Sequence, residues 1–239
     1  MELYLILICS VSGYLLGSFS IARLVARIVA PKKDLEKVEL PDSVTGGTFN
    51  MRFVGATTAS MVLGPKVGGL IGILDILKGA IPTLIVRLIY PNQPYFLILG
   101  AAIVIGHVLP IYYKFRGGIG LSSALGVLLV LDPLGTIICV LLGMLIGMFI
   151  IKEIGLIMMG GPFLFVFWII LKTGNWLYFG LVFLINIVLI IAVIPDYRHQ
   201  IQARKAGKSD LSSSMDAVPM GQMMKKMMQK MGMKTDKED

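Results

Sequence analysis

Long uncharged apolar runs govern what this chain can fold into. Six of them stand out, at roughly 3–22, 67–89, 95–113, 121–151, 154–171 and 176–195. Most are near the ~20 residues that a helix needs to cross the hydrocarbon core of a bilayer. Composition agrees: of 239 residues, 56% are hydrophobic and 15% charged, whereas a soluble domain is about a quarter charged. A water-soluble globule could not cover its surface with so few charges. An ordinary cytosolic enzyme and a disordered chain are both excluded, which leaves an integral membrane protein. The net charge of +8 then reports cytoplasmic loops and attraction to anionic membrane lipids. Nucleic acid is not an expected partner, because no soluble basic domain is present to carry it.

The run 121–151 is too long for one crossing and contains Asp132-Pro133. Proline removes a helix donor and clashes with the preceding turn. The run therefore divides into a short helix at 121–131, about 16 Å long, and a span at 134–151. The basic residues support this division. None precedes Arg23, and none lies in 90–94, whereas the 23–66 loop holds Arg23, Arg27, Lys32, Lys33, Lys37, Arg52 and Lys66. Lys and Arg collect on the cytoplasmic side, so the N-terminus is expected outside. Two crossings within 121–151 then bring the Lys-rich C-terminus inside. The expected fold is an all-α integral membrane protein of about seven membrane helices, one of them short, N-out and C-in. Residues 1–200 form the membrane domain and 201–218 a linker. In 219–239, Met220, Met223, Met224, Met227, Met228 and Met231 recur at helical spacing between Lys225, Lys226 and Lys230. That pattern reads as an amphipathic tail helix with a soft apolar face, lying on the inner leaflet or docking a partner.

Cys9 and Cys139 sit in apolar runs and read as free thiols. His107 and His199 have no metal-ligand spacing around them, so neither a metal nor a cofactor is expected. The N-terminus lacks the basic start of a secretory signal. Gly13 and Gly17, four residues apart, read as a helix-packing face. Four places can carry chemistry. Gly117, Gly118 and Gly120, after Lys114 and Arg116 and before Ser122 and Ser123, form either an anion nest at a helix N-terminus or a tight interfacial turn. Asp75 and Lys78 share one helix face inside a span. Ionisable groups at that depth line a wet cavity or form a structural ion pair. Arg87, near the outer end of that span, is expected to snorkel to the headgroups. His107 reads as an interhelical hydrogen-bonder or a base, and Asn186 as an interhelical hydrogen-bonder. The cluster Tyr197-Arg198-His199-Gln200 reads as a headgroup site or a cover over an anionic substrate.

These residues resemble a known family, the acyl-phosphate-dependent glycerol-3-phosphate acyltransferases of bacteria (PlsY), from about Tyr14 to Gly207. Gly106-His107-Val108-Leu109-Pro110 through Lys114-Phe115-Arg116-Gly117-Gly118-Ile119-Gly120 is similar to the family's Gly-His-x-x-Pro block followed by Lys-Phe-x-Gly-Gly-Lys-Gly. Leu74-Asp75-Ile76-Leu77-Lys78-Gly79 resembles its Asp-x-x-Lys-Gly motif, Gly13-Tyr14-Leu15-Leu16-Gly17-Ser18 its first helix, and Gly55-Ala56-Thr57 the end of its first loop motif. The resemblance implies a seven-helix fold in the plasma membrane with a cytoplasmic active face. It implies acyl transfer from acyl phosphate to glycerol 3-phosphate, giving lysophosphatidate for phospholipid synthesis. On that basis Asp75, Lys78, His107 and Arg116 are the expected catalytic residues. Asn50, Arg52, Thr57, Gly117, Gly118, Gly120, Ser122, Arg198 and Gln200 are expected to bind substrate.

The chain departs from the family in all three motifs. Ile119 stands where the family has a lysine that contacts phosphate. In the first loop motif, Thr48 and Asn50 take the family's Ser and Asn places only with three extra residues. Tyr197, Gln200 and Ser209 replace a histidine, an asparagine and a glutamate of the third motif. The alternative reading is a non-catalytic relative that binds lipid or a partner protein through a retained groove.

Overall fold

The computed structural model describes residues 2–41, 48–50, 53–151, 154–205, 221–222, 225–226 and 229. Its membrane part is helical throughout. α1 (Leu3–Ser18), α4 (Pro65–Ile89), α5 (Tyr95–Val108), α6 (Leu121–Leu131), α7 (Pro133–Leu145), α8 (Ile154–Thr173) and α9 (Trp176–Lys205) follow the seven expected segments in order. Among the described residues, five stretches are long and apolar enough to cross a membrane: Leu3–Val29, Pro65–Ile89, Tyr95–Tyr113, Pro133–Ile151 and Trp176–Ile194. Leu121–Leu131 and Ile157–Thr173 are shorter. α6 and α7 break at Asp132 with Pro133 opening α7, where its missing N–H is one of the helix's orphan donors in any case.

The differences from expectation have local causes. The first helix ends at Ser18, not at residue 22. The chain turns at Phe19 and restarts as α2 (Ile21–Val29). Ser20 is the N-cap, its hydroxyl accepting from the Arg23 N–H, and this satisfies a donor that a helix start leaves open. α5 stops at Val108 because Pro110 cannot continue it; a 3-10 turn, Ile111–Tyr113, follows. The loop after α2 contributes the one departure from an all-α chain among the described residues. There β1 (Glu39–Pro41) pairs antiparallel with β2 (Thr48–Asn50), Leu40 opposite Phe49, and the pairing satisfies backbone groups outside the helices. α3 (Ala56–Leu63) then leads into α4. α9 runs on through Lys205, across the boundary expected at 200. Residues 221–222, 225–226 and 229 have helical backbone; the tail methionines and the rest of the linker lie outside the described residues.

Two backbone-to-backbone approaches set the geometry of the bundle. A Cβ on Gly17 would strike the carbonyl of Ile103, and one on Gly106 would strike that of Tyr14, so α1 and α5 lie in direct contact. Likewise a Cβ on Gly79 would meet the Ser123 carbonyl and one on Gly126 the Ile76 carbonyl, which locks α6 against α4. Small residues allow this approach in lipid, where hydrophobic driving force between helices is absent. Phe96, Leu97, Leu128, Phe165 and Ile169 fill the core, while Leu7, Ile73 and Leu141 point outward.

Polar groups at the end of the bundle holding the α4–α5 turn tie α6 in place. Arg87 does not snorkel outward. Its guanidinium donates to the Val130 and Leu131 carbonyls at the C-terminus of α6 and lies 5.4 Å from the centre of the Phe96 ring. A cation there complements the negative end of the helix. Asp132 accepts from Trp168 Nε1 and Lys172 Nζ, each at 2.7 Å. Burial works to raise the Asp132 carboxyl, but the bonds from Lys172 and Trp168 outweigh it and hold its pKa below the usual carboxylate range. Asn186 donates across to the Pro162 carbonyl at 3.1 Å, the interhelical role expected of it.

The α4–α6 contact gives a direct test. Gly126→Val is expected to overpack this interface and destabilise the protein by about 1–3 kcal/mol, read as a lower midpoint of thermal unfolding in detergent. Gly69→Ala, where an added Cβ meets nothing, is expected to leave the midpoint within the error of the wild type.

Candidate active site

One end of the bundle collects side chains that the apolar runs would otherwise exclude. The C-termini of α1 and α5, the N-terminus of α6 and the first half of α4 meet there. Asp75 lies about 15 Å along α4 from Pro65, with Lys78 one turn further; the carboxylate and the ammonium are both nearly fully buried. Lys78 Nζ is 3.1 Å from the Gly17 carbonyl, 3.1 Å from the Phe19 carbonyl and 3.0 Å from His107 Nδ1. An ammonium has three hydrogens to give, and these acceptors take all three. Asp75 Oδ1 stands 3.3 Å from the same nitrogen. It therefore gains charge attraction without an aligned hydrogen. Among the described residues it is the buried side-chain oxygen that lacks a hydrogen-bond partner.

His107 links the pair to α6. Its Nδ1 is 3.1 Å from Ser123 Oγ and 3.5 Å from Asp75 Oδ1. An ammonium only donates, so Nδ1 accepts and the ring proton belongs on Nε2, a tautomer assigned from the bonding pattern. The Nε2 edge faces Gly118, where a Cβ would collide with the ring. That is why glycine is needed at this point of the loop.

The loop itself is a sharp turn. Lys114 and Phe115 have left-handed backbone, at φ 52° and 60°, and Gly120 has φ 90°. The Gly118 N–H donates to the His107 carbonyl at 3.1 Å, and the Gly117 carbonyl accepts from the Val54 N–H at 2.8 Å. The Gly118 N–H is thus spent within the protein and is not offered to an anion. Beside this turn lies a small cleft lined by Ser18, Ser20, Asp75, Lys78, His107 and Gly118, among others.

Of the residues singled out in the sequence, Asp75, Lys78, His107 and Gly118 meet in the cleft. Gly117 and Gly120 hold the turn that backs it. Ser122 lies beside α4, its Oγ 4.0 Å from where a Cβ on Gly72 would be; the hydroxyl that reaches the cluster belongs to Ser123. Thr57 is half-buried and not among the lining residues. Its neighbour Thr58 makes the local bonds, donating to the Phe53 carbonyl at 2.8 Å. The Arg116 side chain is exposed. Arg52 and the side chains of Asn50, Arg198 and Gln200 lie outside the described residues. One residue read only as a topology signal is placed quite differently. Arg23 is buried, paired with Glu36 at 3.0 Å, and donates to the Arg116 carbonyl at 2.7 Å. Its position in the cytoplasmic charge count accounts for it fully, so the sequence offers no signal of this role.

Fold and cleft together define a polytopic helical membrane protein with an ion-lined cleft at one end of its bundle. The chain belongs to the glycerol-3-phosphate acyltransferase family, whose model matches residues 7–207. It is 38% identical over 122 residues to the glycerol-3-phosphate acyltransferase of Myxococcus xanthus, a match covering 51% of this chain and 57% of that protein. The match to the Photobacterium profundum enzyme of the same name is 35% identical and covers 60% of this chain and 62% of that protein. The Listeria monocytogenes glycerol-3-phosphate acyltransferase is 31% identical over 197 residues, 82% of this chain and 89% of that one. Among solved structures, the chain is similar to PlsY, an integral membrane glycerol 3-phosphate acyltransferase, in its glycerol 3-phosphate form. That match has a TM-score of 0.67 at 26% identity and covers 85% of this chain and 94% of the other. The lysophosphatidic acid form matches with a TM-score of 0.66, also at 26% identity, covering 85% and 93%.

The buried cluster can be tested by a charge cycle. Lys78→Met strands the Asp75 carboxylate and is expected to cost about 3–5 kcal/mol. Adding Asp75→Asn to it removes the stranded charge and is expected to recover a large part of the loss, as read from thermal or denaturant unfolding in detergent. A double variant no more stable than Lys78→Met would show that the two groups are not coupled.

Proposed function

We propose that the protein is a membrane acyltransferase of phospholipid biosynthesis, moving an acyl chain from acyl phosphate to the hydroxyl of glycerol 3-phosphate. The observation that carries this reading is the Asp75–Lys78–His107–Ser123 cluster, opening on a cleft in a chain that matches the family from residue 7 to 207. The hydroxyl oxygen attacks the acyl carbon and the carbon–oxygen bond to phosphate breaks. The departing phosphate takes the hydroxyl proton. Acyl phosphate is a reactive mixed anhydride, so no covalent acyl-enzyme is required; the protein's task is to bring two anionic substrates together and to steady developing charge. Asp75 Oδ1, an acceptor without a hydrogen of its own, suits an incoming hydroxyl. By resemblance to the family, Asn50, Arg52, Thr57, Arg198 and Gln200 are assigned to substrate binding. No cofactor enters the scheme.

The membrane is the plasma membrane and the cleft faces the cytoplasm. The basic 23–66 loop supports this orientation, because it leads into the end of the bundle that carries the cleft. Cysteine reporters at Asp34 and Asn92 check it, against a background of two buried native cysteines. Asp34→Cys is expected to label from the cytoplasmic side and Asn92→Cys from outside; the reverse pattern would invert the molecule.

The activity is tested on purified protein in lipid, supplied with acyl phosphate and labelled glycerol 3-phosphate, with labelled lysophosphatidate as the readout. Ile119→Lys restores a cation at the glycine turn and is expected to raise turnover or tighten substrate binding at least several-fold, since a charge-assisted hydrogen bond is worth about 1.5–3 kcal/mol. Absence of lysolipid from wild type and variant alike would favour the non-catalytic relative.

A further inference from the structure

We propose that Arg23 is the cation that receives the substrate's phosphate monoester in this chain, and that the Glu36 carboxylate occupies its place until substrate arrives. This rests on the acyltransferase reading for its choice of ligand but not for its geometry. Lys78 has no hydrogen left for a phosphate, its three being taken by Gly17, Phe19 and His107. Ile119 offers no charge, and the Gly118 N–H is bonded to His107. Arg23 differs from these. Its side chain is 8% exposed whereas that of Glu36 is 45% exposed. The guanidinium is fixed from behind by the Tyr113 ring, 4.4 Å away, and by the Arg116 carbonyl at 2.7 Å. Towards Glu36, Nε donates to Oε1 at 3.1 Å, and NH2 lies 3.0 Å from the same oxygen.

That arrangement is an oxyanion site with a resident oxyanion. A guanidinium fork suits phosphate as well as carboxylate, and a buried cation requires an anion in one form or another. Glu36, half in water, is free to leave; Arg23 is not. The site also lies where a phosphate is needed. NH1 is 3.4 Å from Ser20 Oγ, and Ser20 and Ala22 line the cleft with Lys78 and His107. The Arg116 carbonyl held by Arg23 immediately precedes Gly117 and Gly118. Arg23 does not itself line the cleft, but a phosphate on it would lie next to the lining residues Ser20 and Ala22 and beside the start of the glycine turn.

Calorimetry on full-length protein in discs of zwitterionic lipid tests this, with inorganic phosphate as the first probe. Glu36→Gln removes the competing charge and is expected to tighten phosphate binding about threefold or more, while Arg23→Gln is expected to weaken it at least about tenfold. Two further probes separate the sources of the phosphate. Glycerol 3-phosphate stands for the acceptor and a long-chain alkyl phosphonate for the donor, and the one whose affinity follows the two substitutions is the one held by Arg23. If Arg23→Gln does not fold, Glu36→Gln still decides: unchanged or weaker phosphate binding in that variant overturns the proposal. Acyl transfer is measured in parallel. Its absence alongside the expected phosphate shifts would count against the acyltransferase reading and leave the Arg23 site standing.

Discussion

Three hydrogens on one ammonium organise this molecule. Lys78 leaves α4 and ties together the end of α1, through the Gly17 and Phe19 carbonyls, and the end of α5, through His107. Those carbonyls are available because α1 stops at Ser18, and the end of a helix leaves acceptors unpaired. The negative end of α1 also favours a cation there. Asp75 balances the charge from the same helix face, and Ser123 completes the ring of contacts from α6. In low-dielectric surroundings such a network holds only if its members are nearly all satisfied. The acceptor left over among the described residues is Asp75 Oδ1, the oxygen that our proposal pairs with the incoming hydroxyl.

The network depends in turn on the glycine contacts. Ser123 reaches His107 because its own carbonyl lies against Gly79, and the α1 carbonyls reach Lys78 because Gly17 lies against Ile103. A side chain at either glycine would move a helix axis outward by more than a hydrogen bond tolerates. Packing and polar chemistry are thus one system at this end of the bundle. At the other end, Arg87 on the α6 carbonyls and Asp132 between Trp168 and Lys172 hold the short helix by its far terminus.

Much of this was legible in the amino-acid sequence, for reasons that also explain what was not. The spans announce themselves by apolar length, and the α6–α7 break by Asp132-Pro133. The Gly13 and Gly17 spacing marks a packing face, and the Asp75 and Lys78 spacing a shared one. Each of these is local. The convergence of His107 on Lys78 is tertiary and has no periodicity. Ser122 and Ser123 are adjacent, and only the rotation of α6 selects the second. Ile21 and Ala22 prolong the apolar run past the end of α1, while the stop is written in the capping hydroxyl of Ser20. Arg23 was hidden by a sufficient explanation, since any cytoplasmic loop carries such charges. No linear pattern shows that α6 ends within reach of Arg87.

The placement of Asp75 and Lys78 on one helix has a consequence for biosynthesis. A lone ionised side chain near the middle of a span opposes insertion by about 2.5–3.5 kcal/mol on translocon scales. These two groups sit three residues apart and face each other within α4 itself. The segment therefore enters the bilayer as a locally neutral helix, with its counter-charge already aboard. The carbonyls that take two of the Lys78 hydrogens belong to α1, which precedes it in the chain, whereas His107 and Ser123 arrive later on α5 and α6. The order of elements along the polypeptide thus places the α1 carbonyls and the Asp75 counter-charge ahead of α5 and α6, whose His107 and Ser123 complete the cluster.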